Sequence, residues 1–273
     1  MSHARIARIA MIIAVLAGAA APAAAQRGRP DYSQYFGNSG DYYVPPDWRG
    51  NPFYDGHVTF VRIKYRGYEH FTDQGPGWAH DYPRAESHFD RIMRDISSMR
   101  IFVEAPPIYG STILALDDPL IMKYPVAYLS EPGGWHMTPS ETEGLRKYIS
   151  KGGFIVFDDM GCCGRQFSDL PNLVYEWNKA FPKAKMMLLP ETHPIFDSFF
   201  KIDLKILESP YRTEPEYWAI FQDNDPKKRI MAIVNLNNDV GEYWQWSDQG
   251  FSPVPSNEAY KLGVNYLIYA LTH

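Results

Sequence analysis

The sequence predicts an α/β domain built on a largely parallel sheet. Residues 124–129 and 154–157 are short apolar runs. Between them lies a helix signature, Thr138-Pro139-Ser140-Glu141 followed by Leu145, Tyr148 and Ile149, and then Gly152-Gly153. Strand, helix, paired glycine and strand make a βαβ unit, whose strands run parallel. Further short apolar runs and amphipathic stripes lie on both sides of that unit. The chain has 273 residues, 45% of them hydrophobic, which supplies a full core without disulfide staples. There are no internal repeats that would indicate a solenoid.

The elements follow in order. Residues 57–65 alternate, and their branched and aromatic content favours a strand. Residues 66–80 form a glycine-rich loop ending in Gly75-Pro76-Gly77-Trp78-Ala79-His80. Asp81 is expected to cap a helix with Pro83 in its first turn. Phe89, Ile92, Met93 and Ile96 make its apolar stripe, and it is expected to run to about Met99. Residues 124–129 are a buried strand. Thr138 and Glu141 form a capping box with Pro139 at the first helical position. Gly152 and Gly153 end that helix, and residues 154–157 give the next buried strand. A helix is expected over residues 171–180, and short strands over 186–189, 217–221 and 230–235. Ser256 is expected to cap a last helix bearing Ala259, Leu262, Tyr266, Leu267 and Ala270 on one side.

The first 25 residues stand apart from the fold. Arg5 and Arg8 precede an apolar run over residues 9–21, and Pro22 is followed by Ala23-Ala24-Ala25. This is the pattern of a secretory signal peptide cleaved after Ala25. The run is short for a membrane span, and no later stretch approaches the roughly 20 apolar residues that one needs. The mature chain is therefore expected in the periplasm or medium. It would have an extended lead-in over 26–55 and one α/β domain over 56–273. Removing Arg5 and Arg8 takes the formal charge from -5 to -7. That balance gives no sign of a nucleic-acid partner, so none is expected, and no attraction to anionic lipid. The two cysteines, Cys162 and Cys163, are neighbours, so this is not a disulfide-built domain.

In open parallel sheets, ligands bind outside the carboxyl ends of the strands. The segments expected there carry Trp78, His80 and Asp81, then Glu131, Trp135 and His136, then Asp158 and Asp159, then Asn238 and Asp239. They define a polar, acidic and aromatic rim as the candidate ligand site. Trp78 and Trp135 would wall it, and crowding would raise at least one carboxyl pKa. The alternative is that the tryptophans cover core edges and the acids cap helices. Gly161-Cys162-Cys163-Gly164 follows a strand as a nucleophile elbow would. Cys163 with His193 is the catalytic candidate, although Pro171 leaves little room for the helix that follows an elbow; the alternatives are an inert pair filling space, a metal-holding pair or a vicinal disulfide. His80, Asp81, Glu86 and His88, joined by Asp158 and Asp159, match no standard zinc spacing. They read as solvated and capping side chains, so no metal or cofactor is expected. Dinucleotide, P-loop and serine-hydrolase signatures are missing from the sequence.

Several segments together resemble a known family. They are residues 60–65, 77–86 (Gly-Trp-Ala-His-Asp-Tyr-Pro-Arg-Ala-Glu), 152–159 (Gly-Gly-Phe-Ile-Val-Phe-Asp-Asp), His193-Pro194-Ile195-Phe196 and 257–266. This set resembles the bacterial domain of unknown function 4159 over about residues 57–272. The resemblance implies a three-layer fold with helices on both faces of a mostly parallel sheet, like class I glutamine amidotransferases and flavodoxin. The amidotransferases use a G-x-C-x-G elbow and a later His-Pro-Glu. Here Arg165 replaces the last glycine, and Ile195 stands where the carboxylate belongs. Their chemistry therefore does not carry over. The expectation is an exported, non-catalytic module binding a small molecule or an envelope protein. The rival is a hydrolase or metal-assisted enzyme using the same rim.

Overall fold

In the computed structural model, residues 50–67, 76–102, 111–162, 166–211 and 213–273 are described. All of them belong to one compact unit, Tyr42–His273. The expected signal peptide, the lead-in before residue 50, and Cys163 with Gly164 and Arg165 lie outside the described residues. Residues 50–55 carry no regular structure.

The strands are β1 Phe60–Ile63, β2 Arg66–Gly67, β3 Ser111–Leu114, β4 Val126–Ser130, β5 Trp135–His136, β6 Phe154–Met160, β7 Met186–Leu188, β8 Glu216–Phe221 and β9 Ile230–Leu236. The helices are α1 Arg84–Ile96, α2 Pro139–Ser150, α3 Gln166–Ala180, α4 Val240–Gln245 and α5 Pro253–Thr272. One seven-stranded sheet has the order β3-β1-β4-β6-β9-β8-β7. β3, β1, β4, β6 and β9 are parallel, while β8 and β7 join antiparallel.

Both faces of the sheet are covered, which makes three layers. Leu145, Tyr148 and Ile149 of α2 and Leu173 and Trp177 of α3 pack with Ala127, Leu129, Ile155 and Phe157. Phe89 and Met93 of α1, Val240 and Trp244 of α4, and Leu262 and Tyr266 of α5 pack with Tyr128, Val156 and Ile233 on the other face. Alternate residues of one strand thus serve opposite layers. This is why β6 and β9 are buried along their whole length, and why their first four and five residues read as continuous apolar runs.

The expected capping box is present: Thr138 Oγ1 accepts from Glu141 N at 3.2 Å, and Glu141 Oε2 accepts from Thr138 N at 2.7 Å. Gly152 adopts a positive φ of 106°, and Gly153 N donates to Tyr148 O at 2.9 Å. That is a Schellman ending, which glycine permits without strain. On the outer edge of the sheet, Asn51 holds β3. Its Nδ2 donates to Ile113 O at 2.9 Å, and its Oδ1 accepts from Ile113 N at 2.8 Å.

Four expectations are corrected. Asp81 does not cap α1; it sits in the left-handed region (φ 66°), and the helix opens three residues later and ends at Ile96. The last helix is entered at Ser252, and Ser256 Oγ instead donates to Ser252 O from inside it. α3 starts at Gln166 and carries Pro171 within it, so a 15-residue helix does follow the cysteines. β3 and α4 were not anticipated, and the first strand is shorter than residues 57–65.

Candidate functional site

The parallel strands bring their carboxyl ends to one side. Glu131, just after β4, donates its N–H to Asp158 O of β6 at 3.1 Å. The segments after β4 and β6 are therefore neighbours, as a shared rim requires. The turn at 80–81 and the start of α4 complete the group. His80 Nδ1 lies 2.9 Å from Asp159 Oδ2 and 3.6 Å from Asp81 Oδ1. Ligand atoms of His80, Asp81, Asp239 and Glu242 lie within 4.8 Å of one another, and so do those of His80, Glu131 and Asp159. Tyr211 donates its hydroxyl to Asp159 and, at 3.0 Å, to Asp239 Oδ2.

Local backbone geometry aims these groups. The β6–β9 register shifts between Phe157 and Met160, and Asp159 there has φ 56°. A bulge of this kind re-aims a side chain at a sheet end. Asp81 and Glu131 also have positive φ, at 66° and 47°. Such strained non-glycine residues gather where the surrounding structure over-determines them, often at ligand sites. Asp239 caps α4 by accepting from Glu242 N at 2.8 Å. At Gly241 a Cβ would stand 2.7 Å from Asp81 Oδ2 and 2.5 Å from the Tyr128 hydroxyl. Glycine there lets Asp81 close down on the helix.

Burial and mutual repulsion set the electrostatics. Asp81 and Asp239 are completely enclosed, and desolvation raises both carboxyl pKa values well above the usual range. The Asp159 charge adds to this in each case. Glu242 is also raised, mainly by desolvation. Burial opposes a charge on His80, but the hydrogen bond and charge of Asp159, with Asp239 and Glu131, outweigh it and push the imidazole up to about 9. The site is thus an acidic cluster around one mostly buried imidazole. It can hold a cation, or exchange protons between a carboxyl and a histidine.

The family follows from the sequence match. The family model described as domain of unknown function (DUF4159) matches residues 59–271. The chain belongs to the DUF4159 family. No curated protein matches it.

In this DUF4159 domain, the other expected site residues fall elsewhere. Asp158 is enclosed and turned toward α4, accepting from Tyr128 Oη, Asn235 Nδ2 and Gly241 N at 2.8 Å and from Val240 N at 3.2 Å. Burial raises its pKa, partly offset by those donors. Trp78 and Trp135 are buried core residues; Trp135 packs on Phe157. His136 pairs with Glu176 at 3.1 Å. Asn238 is enclosed, donating to Tyr217 Oη at 3.3 Å and accepting from Asp239 N. Glu86 pairs with the buried Arg62, and His88 Nδ1 contacts Trp244 O at 2.8 Å, so neither joins the cluster.

His193 caps a short turn, accepting from Ile195 N at 3.2 Å. Its ring lies against Phe221, which pairs with Ile230 at the start of β9. That is the opposite end of the sheet from the point where Gly161 and Cys162 leave β6. Two members of the DUF4159 cluster were not anticipated. Glu242 had a readable signal, because Asp239-Val240-Gly241-Glu242 has capping-box spacing. Tyr211 arrives from a distant loop and had none. Among the described residues, no helix is long and apolar enough to cross a membrane.

Proposed function

We propose that this DUF4159 chain is an exported, non-catalytic binding domain that takes a cationic ligand at its carboxyl-end rim. The observation that carries the reading is the convergence of Asp81, Glu131, Asp159, Asp239 and Glu242 on His80. Carboxylates so concentrated repel one another, and a bound cation relieves that repulsion. His80, Glu131 and Glu242 are partly exposed, which gives the ligand an entrance. Export rests on Arg5, Arg8, the apolar run and Ala23-Ala24-Ala25.

Cell fractionation with N-terminal sequencing tests export. A soluble chain beginning at Gln26 is expected, and an intact chain in the membrane fraction overturns it. Thermal melts of that chain with putrescine, spermidine and divalent metal chlorides test the rim. At least one cation should raise the melting temperature, and Asp159→Asn should reduce the rise. A flat response to every cation overturns the binding reading.

One observation favours the rival reading of an enzyme at the same rim. Asp81 and Glu242 form a carboxyl pair with raised pKa beside an imidazole, an arrangement suited to general acid–base work. This version owes nothing to a Cys163–His193 pair.

A further inference from the structure

Asp81 and Asp158 are both completely enclosed at the same end of the sheet, yet their surroundings differ. Asp158 receives four donors. Neither oxygen of Asp81 receives any donor among the described residues. Its neighbour is another carboxyl, Glu242, whose ligand oxygen lies within 4.8 Å. His80 Nδ1, at 3.6 Å, stands beyond hydrogen-bond reach. Burying a carboxylate without donors is costly, and such groups are normally paired or coordinate a metal.

We propose that His80, Asp81, Asp239 and Glu242 bind one divalent transition-metal ion, of the Mn2+, Fe2+ or Zn2+ class. This deepens, and rests on, the reading of the rim as a cation site. Three further observations support it. The four ligand atoms already lie within 4.8 Å of one another. Donors held about 2.0–2.2 Å from a tetrahedral ion stand roughly 3.4 Å apart, so the four side chains would close inward around it. Asp239 is pinned by the Glu242 N–H and the Tyr211 hydroxyl, so its carboxylate is pre-oriented. His80 is 19% exposed at its side chain and leads outward, which gives the ion a path.

The donor set selects the class of ion. One imidazole nitrogen with three carboxylates suits first-row transition ions. Ca2+ requires about six to eight oxygens, and Mg2+ is usually held through carboxylates, phosphates and retained water. An alkylammonium needs several acceptors spread around its N–H groups, and a cradle this tight and this enclosed fits a bare ion better.

The test uses the full mature chain after treatment with chelator. MnCl2, ZnCl2, MgCl2, CaCl2 and putrescine are compared by thermal melts and titration calorimetry. Mn2+ or Zn2+ is expected to bind one ion per chain and to raise the melting temperature above the effect of Mg2+ or Ca2+. Asp81→Asn should weaken that binding at least tenfold while the metal-free variant melts no lower than the wild type. Metal-free Asp81→Asn loses a repulsion, so a purely structural acid would behave in the opposite way. Glu242→Gln should weaken binding in the same sense and carries the test if Asp81→Asn does not fold. Asp95→Asn, on an exposed position of α1, should bind as wild type. Absence of metal binding, or unchanged affinity in both rim variants, overturns the proposal. If putrescine raises the melting temperature and metals do not, the metal inference fails and the rim reading stands. If no cation binds, both fall.

Discussion

The Asp158 carboxylate receives the backbone N–H of Gly241 at 2.8 Å, tying the end of β6 to the first turn of α4. With Tyr128, Asn235 and Val240 it forms a closed set of hydrogen bonds inside the protein. Asp158→Ala would leave those donors without a partner. The expected cost is at least about 4 kcal/mol, because each of the four buried donors left unpaired is penalised by roughly 1–3 kcal/mol. An unfolding free energy from urea titration within about 1 kcal/mol of the wild type would contradict this structural role.

Thr138→Ala removes one arm of the capping box while Glu141 stays in place. A loss of about 0.5–2 kcal/mol is expected from caps of this type. Denaturant melts of the two proteins measure it, and coincident curves would mean the cap is idle.

Asp90 offers a pH readout distant from the rim. It is enclosed, and its Oδ2 has no partner among the described residues. Burial, then the Glu86 charge, holds its carboxyl well above the usual range, against one backbone hydrogen bond from Phe60. A carboxyl that titrates higher in the folded state binds its proton more tightly there. The stability it contributes is full below the unfolded value of about 3.9 and is lost as pH rises through the folded value. Asp90→Asn should therefore gain on the wild type as pH moves from 4 to 8. Urea midpoints across that window check the slope, and parallel profiles would disprove it.

Glu176 has the opposite sign. Burial opposes its charge, but His136, Lys179 and the Met137 N–H overcome this and lower its pKa below 4.5. Its contribution is present above the unfolded value and is lost as pH falls through the lowered folded value. Glu176→Gln should cost about 1–2 kcal/mol at pH 7, as expected for removing a charged acceptor. The gap to wild type should shrink toward pH 3, and a gap that widens would reject the assignment.

Features whose determinants are local were legible in the sequence. Thr138, Glu141 and Gly152 declare a helix start and stop within a few residues, and the runs ending at Leu129 and Phe157 declare buried parallel strands. Asp81 misled because it has the sequence position of a cap, whereas its backbone is left-handed and its carboxylate is drawn into the acidic cluster. β3 escaped because Ser111–Leu114 is only four residues long and gains its partner from β1, far earlier in the chain. The end of the sheet where the acids gather was readable from strand direction. Which acids face each other was not. The bulge at Asp158–Asp159 sends two neighbours to different surroundings, and periodicity carries no trace of that.

Asn51 has a consequence beyond holding its own segment. An edge strand normally presents free N–H and C=O groups on which another chain can grow. At Ile113 those groups are already taken by the Asn51 amide, which imitates a further strand with a single side chain. A side chain cannot pass the ladder on to another strand. Sheet growth is therefore terminated at this point, and protection against self-association at the parallel edge is written into one asparagine.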